Sequence, residues 1–232
     1  MALTAYVQQV QRLLHDTTGQ FYQYPDLTYY VNSARGQVAL EGECTRALCS
    51  LATANGQQSY TLSSIGNLPS GGQYALVVRG IYLNGQTYEA RPWEWFANLC
   101  LGTAFSPAVP VWAQLGSGAS SSLYICPTPS VAVALQVDSV IQPIPLNTDA
   151  DPELIPYPWT DAVPYYAAYL AYLDAQRTQD AQLMFELYTT FVNRARKIVT
   201  PTSNARQWPG ALGAQIAGAA TGLANPQGLP NG

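Results

Sequence analysis

The sequence predicts an α+β chain: a four-helix body interrupted by an inserted antiparallel β-rich lobe and followed by an extended C-terminal arm. Three observations predict it. Apolar residues recur at three- and four-residue steps toward both ends of the chain. Residues 56–158 hold nine glycines and eleven prolines around short β-branched or aromatic runs, the grammar of strands and turns. In residues 200–232 the only charged side chain is Arg206. The expected segments are 1–55 (first helix pair), 56–158 (β-rich insertion), 159–199 (second helix pair) and 200–232 (extended docking arm).

The first helix is expected over 3–14, where Leu3, Tyr6, Val7, Val10, Leu13 and Leu14 share a face. A second opens at Pro25 and Asp26, a proline suited to a first turn beside an acid at the positive helix end. Leu27, Val31, Ala34, Val38, Thr45, Leu48 and Cys49 continue it to Leu51. Gly36 and Gly42 each weaken that helix by about 1 kcal/mol relative to alanine, so packing must hold it, with a close helix crossing there.

In the β part, strands are expected over 74–83 and 86–90, joined by Asn84-Gly85. That dipeptide accepts positive φ at both central positions of a type I′ turn. Further strands are expected over 109–115, 122–126 and 131–140, bracketed by Pro127, Pro129, Pro143 and Pro145. Asp161 is the expected N-cap of the third helix, with Pro164 in its first turn and Val163, Tyr166, Ala167, Leu170 and Leu173 facing inward. After a break near Thr178, a fourth helix turns Leu183, Met184, Leu187, Phe191, Ala195 and Ile198 inward. It ends in Arg194, Arg196 and Lys197 beside its negative terminus, before Pro201.

Composition excludes several functions. Charged residues are 10% of 232, against about a quarter in ordinary globular chains. Net charge is −4 and Lys197 is the only lysine, so no large phosphate-gripping face can be built. One histidine, His15, cannot supply H-E-x-x-H, and neither a P-loop, G-x-S-x-G nor G-x-G-x-x-G occurs. The opening residues lack a cationic, apolar signal pattern, and no run of eighteen apolar residues exists. A soluble chain made in a cytoplasm is expected. Its four cysteines, Cys44, Cys49, Cys100 and Cys126, form no C-x-x-C pair; Cys44 and Cys49 fall on different faces of the expected helix, so all four read as buried thiols.

Weaker chemical candidates remain. Glu89 and Glu94 flank Trp93 and Trp95, a set that suits sugar stacking beside an acid pair, though a strand-edge aromatic cluster is the simpler reading. Asp149, Asp151 and Glu153 resemble the start of a calcium loop but lack its glycine and distal glutamate, which favours a solvated acidic linker. His15 reads as a helix-end residue. No catalytic residue, metal ligand or cofactor is assigned.

Two segments carry a family resemblance. Tyr24-Pro25-Asp26-Leu27-Thr28-Tyr29-Tyr30-Val31-Asn32-Ser33-Ala34-Arg35 resembles the helix opening of tailed-bacteriophage head-to-tail adaptor (connector) proteins. Pro158-Trp159-Thr160-Asp161-Ala162-Val163-Pro164-Tyr165-Tyr166-Ala167-Ala168 resembles their second landmark, a Pro/aromatic start to an Ala-rich helix after the β insertion. The resemblance implies a structural virion protein of the neck: a dodecameric ring beneath the portal protein, assembled in the host cytoplasm. The genome would pass through the ring without sequence-specific binding. The arm would insert between portal subunits, and the β lobe would face a tail nozzle or other tail protein, with no membrane involved.

The arm's own residues agree. Six glycines, seven alanines and four prolines cannot bury enough surface to fold alone, yet Trp208, Leu212, Ile216, Leu223 and Leu229 need cover. With Arg206 and Pro209 they are the expected partner-binding residues, Trp208 being the chief anchor because buried aromatics dominate hot spots. Two alternatives stand: a glycan-binding β lobe on a helical stalk, using Trp93 and Trp95, and a carboxylate-pair hydrolase.

Overall fold

Helix α1 (Leu3–Leu13) buries Leu3, Tyr6, Val7 and Val10 on one stripe. Its first turn is capped from far away in sequence: Asp149 accepts from the Thr4 N–H and hydroxyl, both at 2.7 Å, an anion placed at a positive helix end. These features belong to a computed structural model that describes residues 2–102 and 105–199. The chain divides into two units, 1–192 and 193–232; of the second, only 193–199 are described.

Between α1 and α2 (Tyr24–Gly42) the chain turns at His15, φ +56°. The buried Asp16 carboxylate gathers the N–H groups of Gln20, Phe21 and Tyr22, each at 2.9 Å. Pro25 sits in the first turn of α2, whose inner side is Leu27, Val31, Ala34, Arg35, Val38 and Ala39.

The helix expected to reach Leu51 stops at Gly42, followed by Glu43 in the left-handed region at φ +49°. Residues Arg46–Ala52 form strand β1 instead, antiparallel to β7 (Ala134–Pro143). Thr45, Leu48 and Cys49 fit a helical spacing, but Cys49 and Leu51 also fit a period of two and are the buried pair. Long-range pairing decides between the two patterns. Gly42 fits where it does because the Trp159 ring lies against it: a Cβ there would stand 2.6 Å from the indole.

The β part is a curled seven-strand sheet in the order β1-β7-β3-β4-β5-β6-β2. It includes β2 (Ser59–Thr61), β3 (Gly72–Leu83), β4 (Gln86–Ala90), β5 (Val111–Leu115) and β6 (Ser122–Cys126). The Asn84-Gly85 hairpin has φ +50° and +82°, as the type I′ turn requires. The lobe is mixed rather than antiparallel, because β4 and β5 run parallel. Helix α3 (Trp93–Leu99) occupies that crossover, so Trp93 and Trp95 lie on a helix and not at a strand edge. A parallel pair needs a crossover rather than a tight turn, and Pro92 opens the helix that supplies it. Register shifts along β3 bend the sheet. Ser50 and Gly66 exchange both backbone bonds, tying the outer side of β1 to the segment after β2. Leu51, Leu62, Ile81, Leu123, Ile125 and Val137 fill the space enclosed.

Helix α4 (Val163–Asp174) follows a 3₁₀ turn, Trp159–Asp161, and has no side-chain cap, so Asp161 is not the N-cap expected of it. The seated Trp159 ring sets that approach. Helix α5 (Thr178–Val199) buries Ala181, Met184, Tyr188 and Val192, while Leu183 and Ile198 are exposed. Met184 and Ala195 face inward as expected, and the rest of the inner face shifts to Ala181, Tyr188 and Val192, with Tyr188 burying its ring and donating to the Glu41 carboxylate at 2.6 Å.

Candidate adaptor interface

The two landmark segments meet in space. Tyr30 of the first donates its O–H to Asp174 at 3.0 Å, at the end of the helix that the second begins. Burial first, then that hydrogen bond, push the Tyr30 phenol up to about 12. Gly42 and Trp159 bring the other end of α2 against the start of the second segment.

Asn32 and Arg35 do a different job. Asn32 exchanges two bonds with the Leu146 backbone, donating at 3.0 Å and accepting at 2.8 Å. Arg35, 1% exposed, donates to both Glu153 oxygens, to Asn32 Oδ1 and to the Ile144 carbonyl. Together they pin the strap that leads from β7 to α4. An arginine on an apolar helix stripe is stable only with its donors satisfied, and here charge and hydrogen bonds are both matched. The Tyr6 hydroxyl is buried beside them, its pKa raised by burial first and by Glu153 second.

Asp149, Asp151 and Glu153 are therefore not a loose solvated linker. Asp149 caps α1, Asp151 accepts from the Asn147 and Thr148 N–H groups at 2.7 Å each, and Glu153 neutralises Arg35. Backbone N–H donors hold the Asp149 and Asp151 carboxyls below their ordinary 3.8. All three acids serve structural partners, and among the described residues no group of three or more His, Cys, Asp or Glu converges as metal ligands would. The four cysteines are free thiols; burial raises Cys44 and Cys126 to about 12, which keeps them protonated and unreactive.

In the β part, Trp93 packs on Tyr124 at 4.7 Å between ring centroids, and the Arg91 guanidinium lies over Trp95 at 5.1 Å. Glu89 pairs with Arg91, while Glu94 lies in the first turn of α3. His15 sits just past the end of α1, as expected. The expected partner-binding residues Arg206, Trp208, Pro209, Leu212, Ile216, Leu223 and Leu229 all lie outside the described residues.

A groove runs between α2 and α4. Tyr29, Tyr30, Leu170, Leu173 and Asp174 line one hollow, and Asp26 joins Tyr30 and Asp174 in the next. Tyr29 is 69% exposed and Phe21, on the loop that Asp16 organises, 83%. Sequence reasoning missed this face because it turned Leu170 and Leu173 inward and left Phe21, Tyr29 and Tyr30 unassigned; the crowding of aromatics within 21–30 was the available signal.

A sequence model of the SU10 adaptor protein family matches residues 1–215. The chain belongs to that family. The match takes in both landmark segments, the curled sheet and α5, and continues past the described residues. The SU10 family is one of phage head-to-tail adaptors, so this is a structural adaptor and a virion component. No curated protein matches the chain. No helix among the described residues is long and apolar enough to cross a membrane.

Proposed function

We propose that this SU10-family adaptor forms a homo-oligomeric ring of twelve copies beneath a portal protein, joins the capsid to the tail and lines the path of the DNA. The observation that carries the reading is the family match over 1–215, on a chain whose two landmark helices are braced against each other and against one strap. Such bracing suits a part that transmits load and performs no reaction.

Residues 200–232 act as the docking arm, inserting between portal subunits. Trp208 is its chief anchor, supported by Arg206, Pro209, Leu212, Ile216, Leu223 and Leu229. The β part faces the tail nozzle or another tail protein. The duplex passes through the lumen without sequence-specific contacts, and a net charge of −4 with one lysine supports that reading, since phosphates are gripped by cations. Assembly takes place in the host cytoplasm, before the particle leaves.

The test removes residues 200–232 and measures sedimentation with the purified portal protein. The shortened protein should stay folded by circular dichroism and fail to co-sediment. Normal attachment without the arm would overturn its assignment.

A further inference from the structure

The charge of this chain is divided unevenly. Residues 1–192 hold six cations against fourteen acids, a formal −8. Residues 193–232 hold Arg194, Arg196, Lys197 and Arg206 with no acid, a formal +4. Two copies of the first segment repel each other, as like-charged bodies do. What a second copy can offer in compensation is its C-terminal segment.

The groove between α2 and α4 has matching chemistry. Its hollows of about 510 and 540 Å³ fall within the size range of ligand pockets, about 300–1,000 Å³. Asp26 and Asp174 stand on it; Arg177, which lines the same hollow, is paired with Asp180 at 2.7 Å, which leaves two carboxylates and one already paired cation at the site. Tyr29 and Tyr30, whose rings meet edge to face at 5.9 Å between centroids, and Leu170 and Leu173 supply apolar surface beside the carboxylates.

We propose that this groove receives residues 206–209 of a second copy, the Arg206 guanidinium binding Asp26 and Asp174 and the Trp208 indole lying on Tyr29, Tyr30, Leu170 and Leu173. Side chains two apart on an extended chain project to one side, about 7 Å from each other. The residue before a proline is biased to that conformation, and Pro209 follows Trp208. A cation and a flat ring so spaced match carboxylates beside apolar surface, the amphipathic pairing favoured at interface centres. The inference rests on the ring reading above. It departs from the arm reading above in one respect: Arg206, Trp208 and Pro209, at the root of the arm, are held by the neighbouring adaptor instead of the portal, and 210–232 are left for the portal.

The experiment uses full-length protein in which a benzophenone amino acid replaces Trp208, with equal parts of ¹⁴N- and ¹⁵N-labelled chains assembled on portal protein. Sedimentation before irradiation reads the ring, and peptide mass spectrometry afterwards reads the contact. The expected result is mixed-isotope cross-links from position 208 to peptides containing Tyr29, Tyr30 or Leu170. Their yield should fall about tenfold in the Asp26→Lys, Asp174→Lys double variant, the loss expected of about 1.4 kcal/mol.

Same-isotope cross-links alone would place the segment on its own body, and cross-links to the portal would place it there; either overturns the inference while leaving the ring intact. No sedimenting complex from unlabelled wild-type protein would overturn the ring reading and this inference with it. A second cross-linker at Gln207, with Trp208 retained, reads the same contact if replacement at 208 blocks assembly.

Discussion

Arg35 shows how much one residue settles. Its guanidinium is neutralised by Glu153, 118 positions later, with side-chain exposures of 1% and 8%. The pair is a brace whose removal is costly, whatever its net contribution when intact. Glu153→Gln leaves a buried charge unmatched and should lower the urea-derived unfolding free energy by about 3–5 kcal/mol. Asp16, Asp149 and Asp151 set a pH dependence. Each is held below its ordinary 3.8, chiefly by backbone N–H donors. A lowered folded value means the added stability is whole above about pH 4 and is lost as the pH falls through the folded values. Thermal unfolding followed from pH 7 to pH 2 should show a flat upper range and a fall below about pH 4. Asp16→Asn, Asp149→Asn and Asp151→Asn together should flatten that fall.

At the scale of elements, the hairpin between β3 and β4 was legible because Asn84-Gly85 admits a single tight geometry. The boundary between α2 and β1 was not. A seven-residue run satisfies two periods at once, and its partner strand lies some ninety residues on. A still longer separation, 118 residues to Glu153, hid the part Arg35 plays, although its place four residues after Val31 on the apolar stripe was a visible signal. Gly42 carries an element-level prediction. Gly42 is the last residue of α2, where the gain of alanine over glycine is smaller than the roughly 1 kcal/mol of a helix interior. Here the added Cβ would meet the Trp159 ring at 2.6 Å, so Gly42→Ala should destabilise by about 1–3 kcal/mol, the cost of overpacking. Differential scanning calorimetry with Gly56→Ala as a reference, where open space surrounds the site but φ is +75°, separates steric from conformational strain.

The whole molecule is sparsely charged, 10% of its residues, as a subunit that meets many neighbours would be. The α+β class was readable from periodicity and turn residues, whereas strand β1 fell inside the expected helical segment and α3 inside the expected β insertion. The parallel β4–β5 step was not, since a short helix inside a Pro-rich stretch leaves little periodic signal. A chain with one lysine should not retain duplex DNA on a filter at about 0.15 M salt, and retention with a steep salt slope would contradict the proposed passage. The most direct check on the central claim is the native mass of the adaptor bound to its portal protein. Twelve adaptor chains per complex is the expected result, and a mixture in which the two proteins stay separate would contradict the account.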